Sequence, residues 1–160
     1  MKDTKVIPTF LDDALGFNLD RVANLVRLEL MRALARYELT PEQWQIMALI
    51  WRSETPLRQQ DITEMLVKDK HNISRMVRRL EDKGWLKRHP DPNSRASFLR
   101  PTALGQSLKD EVPRALYAHV AKIGLGLTPT QERELVALLK IVRGHLHKDG
   151  AEVEEADISL

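Results

Sequence analysis

The sequence predicts a mainly α fold with a small β-wing, in which long helices flank a central helix-turn-helix and its hairpin. Three observations carry this prediction. Apolar residues recur at helical spacing over most of the chain; cap residues and a terminal glycine bracket two short consecutive helices in its middle; and a Pro/Asn/Ser cluster separates two short extended runs just beyond them. With 160 residues the chain fits one domain, 1–160, or one subunit of an oligomer.

From Phe10 to Tyr37, Leu11, Leu15, Leu19, Val22, Leu25, Val26, Leu30 and Leu34 recur mostly at three- and four-residue steps, which predicts one long helix over 10–37. Thr40-Pro41-Glu42-Gln43 then starts a second, about Pro41 to Arg52. Thr40 can cap, Pro41 suits the first helical position and Gln43 completes a capping box. Trp44, Met47, Ala48 and Trp51 share one side of that helix. A turn with Pro56 leads to a short helix, roughly Gln59 to Val67, whose buried face is Ile62, Met65 and Leu66. Asp69 caps the next helix, Lys70 to Lys83, which stops at Gly84. Its apolar face is Ile73, Met76, Val77 and Leu80; the opposite face carries His71, Ser74, Arg75 and Arg78. Extended runs at Trp85–His89 and Ala96–Arg100 enclose the tip Pro90-Asp91-Pro92-Asn93-Ser94. Thr102 opens an amphipathic helix through Leu104, Leu108, Val112, Leu116 and Val120, with a bend expected at Pro113 and a stop at Gly124 and Gly126. Thr128-Pro129-Thr130-Gln131 repeats the cap pattern and starts a last helix through Leu135, Leu138, Leu139, Val142 and Leu146. The acidic segment 149–160 has no sustained apolar period and is expected to be loose.

Composition removes several classes. At 42% hydrophobic and 30% charged residues the chain is globular, not low-complexity. It has no run of 18 apolar residues and no apolar signal segment in Met1 to Phe10, which predicts a cytoplasmic protein with no membrane partner. Without cysteine it has no disulfide, no thiolate metal site and no thiol switch. No G-x-S-x-G, P-loop or H-E-x-x-H pattern is present, so the chain is not read as an enzyme and no cofactor is expected. The net charge of +2 conceals a local excess: residues 68–100 carry ten Lys/Arg against four Asp/Glu. Such a concentration fits an anionic partner.

A helix in the major groove reads base edges with exposed residues near its N-terminus, while neighbouring cations hold phosphates. On that logic His71, Asn72, Ser74 and Arg75 are candidates for base contact. Arg78, Arg79, Lys87 and Arg88 are candidates for phosphate contact, and Arg95 for insertion into an adjacent minor groove. The competing reading is an adaptor whose basic face meets an acidic protein. His119, His145 and His147 do not share a helical face and are read as surface histidines, so no metal site is assigned. Trp44, Trp51 and Trp85 are read as packing residues.

The stretch Asp61-Ile62-Thr63-Glu64-Met65-Leu66, then Asp69, Ile73-Ser74-Arg75-Met76-Val77, Leu80-Glu81-Asp82-Lys83-Gly84, Asp91-Pro92 to Arg95 and Thr102 to Gly105 resembles the MarR family of winged helix-turn-helix regulators. The sharp match covers about 57–105, and the helix order agrees over about 10–148. The resemblance implies a homodimer built by helices in 10–37 and 102–148. It also implies a DNA-binding lobe over 41–101 and a pseudopalindromic operator, commonly repressed until a small effector releases it. The effector class it offers is an aromatic acid, bound in the family between the dimer base and the winged lobe; Arg21, Trp44, Trp51 and Arg52 fall near that place in the sequence, and no residue is assigned to the ligand. Ser74 and Arg75 fall on the family's recognition helix and Arg95 on its wing arginine. Departures are Arg58 where Thr or Ser usually caps, Asn93 near an expected acid, Pro101 before Thr102, and a wing one residue short.

Overall fold

The computed structural model describes residues 7–156, with side chains described for 7–147. In chain order it contains α1 (Thr9–Asp12), α2 (Leu15–Leu34), a 3-10 turn (Ala35–Tyr37), α3 (Pro41–Arg52), β1 (Leu57–Arg58), α4 (Gln59–Leu66), α5 (Lys70–Asp82), β2 (Leu86–Pro90), β3 (Ser97–Pro101), α6 (Ala103–Ser107), α7 (Glu111–Ile123) and α8 (Pro129–Ala156). The strands form one antiparallel sheet in the order β1-β3-β2.

Both expected capping boxes form. Gln43 N–H donates to Thr40 Oγ1 at 3.2 Å while Gln43 Oε1 accepts from Thr40 N–H at 3.0 Å; Thr128 and Gln131 repeat the exchange at α8. Each satisfies two backbone groups that a helix start leaves open. Buried Leu34, Leu39, Ile46, Met47, Trp51, Leu57, Ile62, Ile73, Val77, Leu80, Trp85, Leu86, Leu99, Val112 and Leu116 form one core. Trp51 donates its indole N–H to the Gly105 carbonyl at 3.0 Å, which fixes α3 to α6.

Five expectations are corrected, the first being Met65, expected on the buried face of α4 with Ile62 and Leu66 but 56% exposed. The first helix is broken: Ala14 is extended, and the Asn18 amide donates to the carbonyls of Asp12 at 2.6 Å and Ala14 at 3.0 Å. That side chain supplies the local alternative to helix that Asn commonly offers. After Thr102 there are two helices rather than one bent helix. Pro113 cannot donate to the Lys109 carbonyl and would collide with it, so the chain leaves the helix over 108–110 and restarts with Pro113 in the first turn, where it is tolerated. The hairpin strands each lie one residue later than expected. A third strand, β1, was hidden because two residues cannot display a period of two.

The chain divides into two units after Ala121. In the first, α2 exposes Leu15, Val22, Leu25, Val26, Leu28 and Met31. In the second, every described side chain of α8 except Val142 is exposed, including Leu135, Leu138, Leu139 and Leu146. The backbone of α8 is helical to Ala156, within the segment expected as a loose tail; residues 157–160, like 1–6, lie outside the described residues. Among the described residues no helix is long and apolar enough to cross a membrane.

Candidate nucleic-acid interface

The turn between α4 and α5 is set by Val67, which takes a left-handed φ of 49°. Its N–H reaches the Glu64 carbonyl at 3.3 Å, and that of Lys68 reaches Thr63 at 3.4 Å, closing α4. Asp69 then caps α5 by accepting from Asn72 N–H at 2.9 Å. That bond is the main cause holding the Asp69 carboxyl below the usual carboxylate range.

The buried residues of α5, Ile73, Val77 and Leu80, anchor one face, so the opposite face projects outward. His71, Ser74, Arg75 and Arg78 stand exposed on that outer face, and Arg79 is exposed on its flank. Asn72 is half-buried and engaged: its amide donates to Asp69 and its Oδ1 accepts from Arg75 Nη2 at 2.6 Å. Arg75 is thus steered by a residue that is itself fixed to the helix cap. Beside this face, Arg27, Thr40, Glu42, Lys68, Asn72 and Arg79 contribute to a polar groove of about 570 Å³.

The two cations of β2 point to opposite faces of the sheet. Arg88 pairs in register with buried Leu99 and is held by Glu81 at 3.1 Å and by Gln59 at 3.2 Å. Lys87 lies directly opposite Arg100 on the other face, both exposed. Like charges so placed repel unless an anion lies across them. Among the described residues no carboxylate pairs with Arg78, Arg79, Lys87, Arg95 or Arg100. Uncompensated cations therefore run from α5 to the hairpin, while Arg88 is already neutralised.

The hairpin tip is organised by Asp91, whose side chain is 1% exposed. It accepts from Asn93 N–H at 2.9 Å, from the Ser94 hydroxyl at 3.1 Å and from the Arg58 guanidinium. The Asn93 bond is the largest cause lowering its pKa, with Arg58 and Ser94 adding. Arg95 is exposed on this tip. Sequence reasoning missed the Arg58 to Asp91 pairing and the Lys87 to Arg100 opposition. The one signal for the first was an arginine at a position where a small cap is usual.

An exposed cationic helix held over a supporting helix, with a three-stranded sheet and basic hairpin beside it, is a winged helix-turn-helix. The MarR family profile matches residues 39–97, which span this lobe from before α3 into β3. The HTH-type transcriptional regulator TtmR of Methylorubrum extorquens is 27% identical over 148 residues, covering 92% of this chain and 74% of that protein. Among solved structures, the transcriptional repressor CouR bound to a 23-mer DNA duplex superposes with a TM-score of 0.80 at 21% identity, covering 88% of this chain and 99% of that one. AbsC, a MarR-family regulator from Streptomyces coelicolor, gives 0.77 at 23% identity over 91% of this chain and 99% of its own. These two are likenesses of fold. Over its winged lobe the chain is thus similar to the MarR family of transcriptional regulators, and its fold is theirs.

Proposed function

We propose that the chain is a sequence-specific DNA-binding regulator of the cytoplasm that acts as a homodimer on a two-fold operator, as a repressor released by a small effector. The observation that carries the reading is the run of unneutralised cations from the outer face of α5 onto the hairpin. Arg75, with His71 and Ser74, reads bases. Arg78, Arg79 and Lys87 hold phosphates, and Arg95 enters the flanking minor groove. Residues 41–101 form the DNA lobe; 10–37 and 102–148 supply the dimer surfaces, which carry exposed leucines and valines at helical spacing. In a two-fold dimer the recognition helices fall roughly 34 Å apart, one turn of duplex.

For release, two concavities along α3 supply room. One of about 460 Å³ is lined by Trp44, Trp51, Arg52 and Lys109, and one of about 450 Å³ by Trp44, Arg52, Leu57 and Met65. Indole faces beside cations suit an aromatic acid, and CouR from Rhodococcus jostii has been solved with p-coumaroyl-CoA.

The test is fluorescence anisotropy on a duplex selected from random DNA, against its scramble, at two salt concentrations. Selection of a two-fold site bound roughly 10³-fold or more tighter than the scramble is the expected result. Enrichment of no sequence, with weak binding that salt abolishes, would replace this reading with a surface for an acidic protein.

A further inference from the structure

Arg58 does three things at once. Its backbone N–H donates to Asp61 Oδ2 at 2.7 Å at the start of α4, its backbone belongs to β1 in register with Phe98, and its guanidinium lies 5.3 Å from the Phe98 ring centroid while bonding Asp91. The supporting helix, the sheet and the hairpin root meet in this one residue, its backbone holding the first two and its guanidinium the third.

Asp91 is equally committed. Beyond its carboxylate bonds to Asn93 and Ser94, its N–H donates to the Ala96 carbonyl at 3.1 Å, its carbonyl accepts from Ser94 N–H at 3.3 Å, and Ser94 Oγ accepts from Ala96 N–H at 3.0 Å. Residues 91–96 are therefore one closed hydrogen-bonded loop carrying Arg95. A buried carboxylate is costly without a cation, and Arg58 is the cation the structure gives it.

We propose that the Arg58–Asp91 pair is a positioning device for the wing, fixing the hairpin to the N-terminus of the supporting helix so that Arg95 stands at a set place relative to α5. It rests on the DNA reading above and identifies which residue of that lobe governs how the wing meets DNA. Arg58 touches no base in this scheme; it acts through Arg95. An arginine at a helix start, where a hydroxyl would cap more simply, has this use: only a long cation reaches the hairpin root.

The experiment compares wild type, Arg58→Ala, Arg58→Lys, Asp91→Asn, Arg95→Ala and the Arg58→Ala/Arg95→Ala pair on the selected duplex and on a version trimmed of the flanking minor groove. Arg58→Ala is expected to weaken binding to the full duplex about tenfold, to have little effect on the trimmed one, and to add almost nothing in the Arg95→Ala background. Arg58→Lys should recover part of the loss. Without DNA, trypsin should cleave after Arg95 about tenfold faster in Arg58→Ala and Asp91→Asn than in wild type, because local opening at the tip then costs less. If Arg58→Ala does not fold, Asp91→Asn, which keeps an oxygen to accept from Asn93 N–H while removing the acceptor that Arg58 uses, answers both questions. Equal loss on full and trimmed duplexes, full additivity with Arg95→Ala, or unchanged cleavage overturns the proposal. A wild type that enriches no duplex defeats the DNA reading and this proposal together. A binding wild type with an indifferent Arg58→Ala defeats this proposal alone.

Discussion

Arg75 and Arg79 lie four residues apart on one helix and differ in what holds them. Arg75 bonds Asn72, which is bound to the cap Asp69, so its guanidinium is oriented before any ligand arrives. Among the described residues no side chain orients Arg79 in this way. Replacing Arg75 by Ala should cost about 1–3 kcal/mol on the selected site and much less on its scramble, whereas Arg79→Ala should weaken both alike and lower the salt slope by about one charge. Anisotropy titrations on both duplexes check this; parallel losses for Arg75→Ala would remove it from base reading. A second residue-scale prediction concerns Glu29 on α2. His119 Nε2 of α7 donates to its carboxylate at 2.9 Å, and this bond, with Arg32 adding, holds the Glu29 pKa below its ordinary 4.5. A depressed carboxylate stabilises the fold above its unfolded pKa and ceases to do so as pH falls through the folded value. Urea titrations between about pH 6 and about pH 3 should show wild type losing more stability than Glu29→Gln on the acid limb. Coincident slopes would show that the pair contributes nothing. The positions of the cations were legible in the sequence because helical period alone assigns faces. Their partners were not, since Glu81 and Gln59 reach Arg88 only once the sheet has folded against the helices.

At the scale of elements, what could be read was what is local. The caps Thr40, Asp69, Thr102 and Thr128 and the left-handed stop at Gly84 act within a few residues of themselves, and all appear where the sequence places them. What could not be read was β1, whose two residues are a strand only because β3 lies beside them. Nor could the closeness of α6 to the sheet be foreseen. Gly105 lies so near the backbone that a Cβ there would stand 2.1 Å from the Trp85 carbonyl oxygen. That carbonyl also accepts from Thr102 N–H at 3.0 Å, and the Gly105 carbonyl accepts the Trp51 indole N–H, so neither strand nor helix can retreat without losing bonds. Gly105→Ala should therefore destabilise by about 1–3 kcal/mol or more, an overpacking cost met by backbone rather than by a movable side chain. Gly144, with open space around its Cβ position, is the control: Ala there should be neutral or stabilising by up to about 1 kcal/mol in mid-helix. Chemical denaturation of the two variants gives the comparison, and equal midpoints would show that the backbone near Trp85 yields more easily than its hydrogen bonds imply.

The apolar faces of the terminal helices pose a problem that one copy of the chain does not solve. On α8, Leu135, Leu138, Leu139, Val142 and Leu146 fall within about 100° of arc, the width of a buried stripe, yet all but Val142 are exposed. On α2, Leu15, Val22 and Val26 share another stripe and are exposed as well. Full burial of a leucine or valine is worth roughly 1.5–3 kcal/mol, of which these partly exposed side chains forgo a share of about half, and a second copy offers identical stripes to cover them. The core around Ile46, Ile62, Ile73 and Leu80, by contrast, is closed within one copy, with Leu34 of α2 and Val112 and Leu116 of α7 joining the winged lobe and no described residue of α8 taking part. Two different sensitivities follow. A charge introduced at Leu139, as in Leu139→Glu, should shift sedimentation from dimer toward monomer at micromolar concentration, since one change strikes both copies of a two-fold contact. Far-UV circular dichroism should change little, because the lobe does not depend on that stripe. Affinity for a two-half-site duplex should then fall toward that for a single half-site, because the second lobe is no longer delivered at high effective concentration. A Leu139→Glu chain that sediments as a dimer and binds the two-fold duplex undiminished would show that the stripe on α8 is covered by something other than its counterpart.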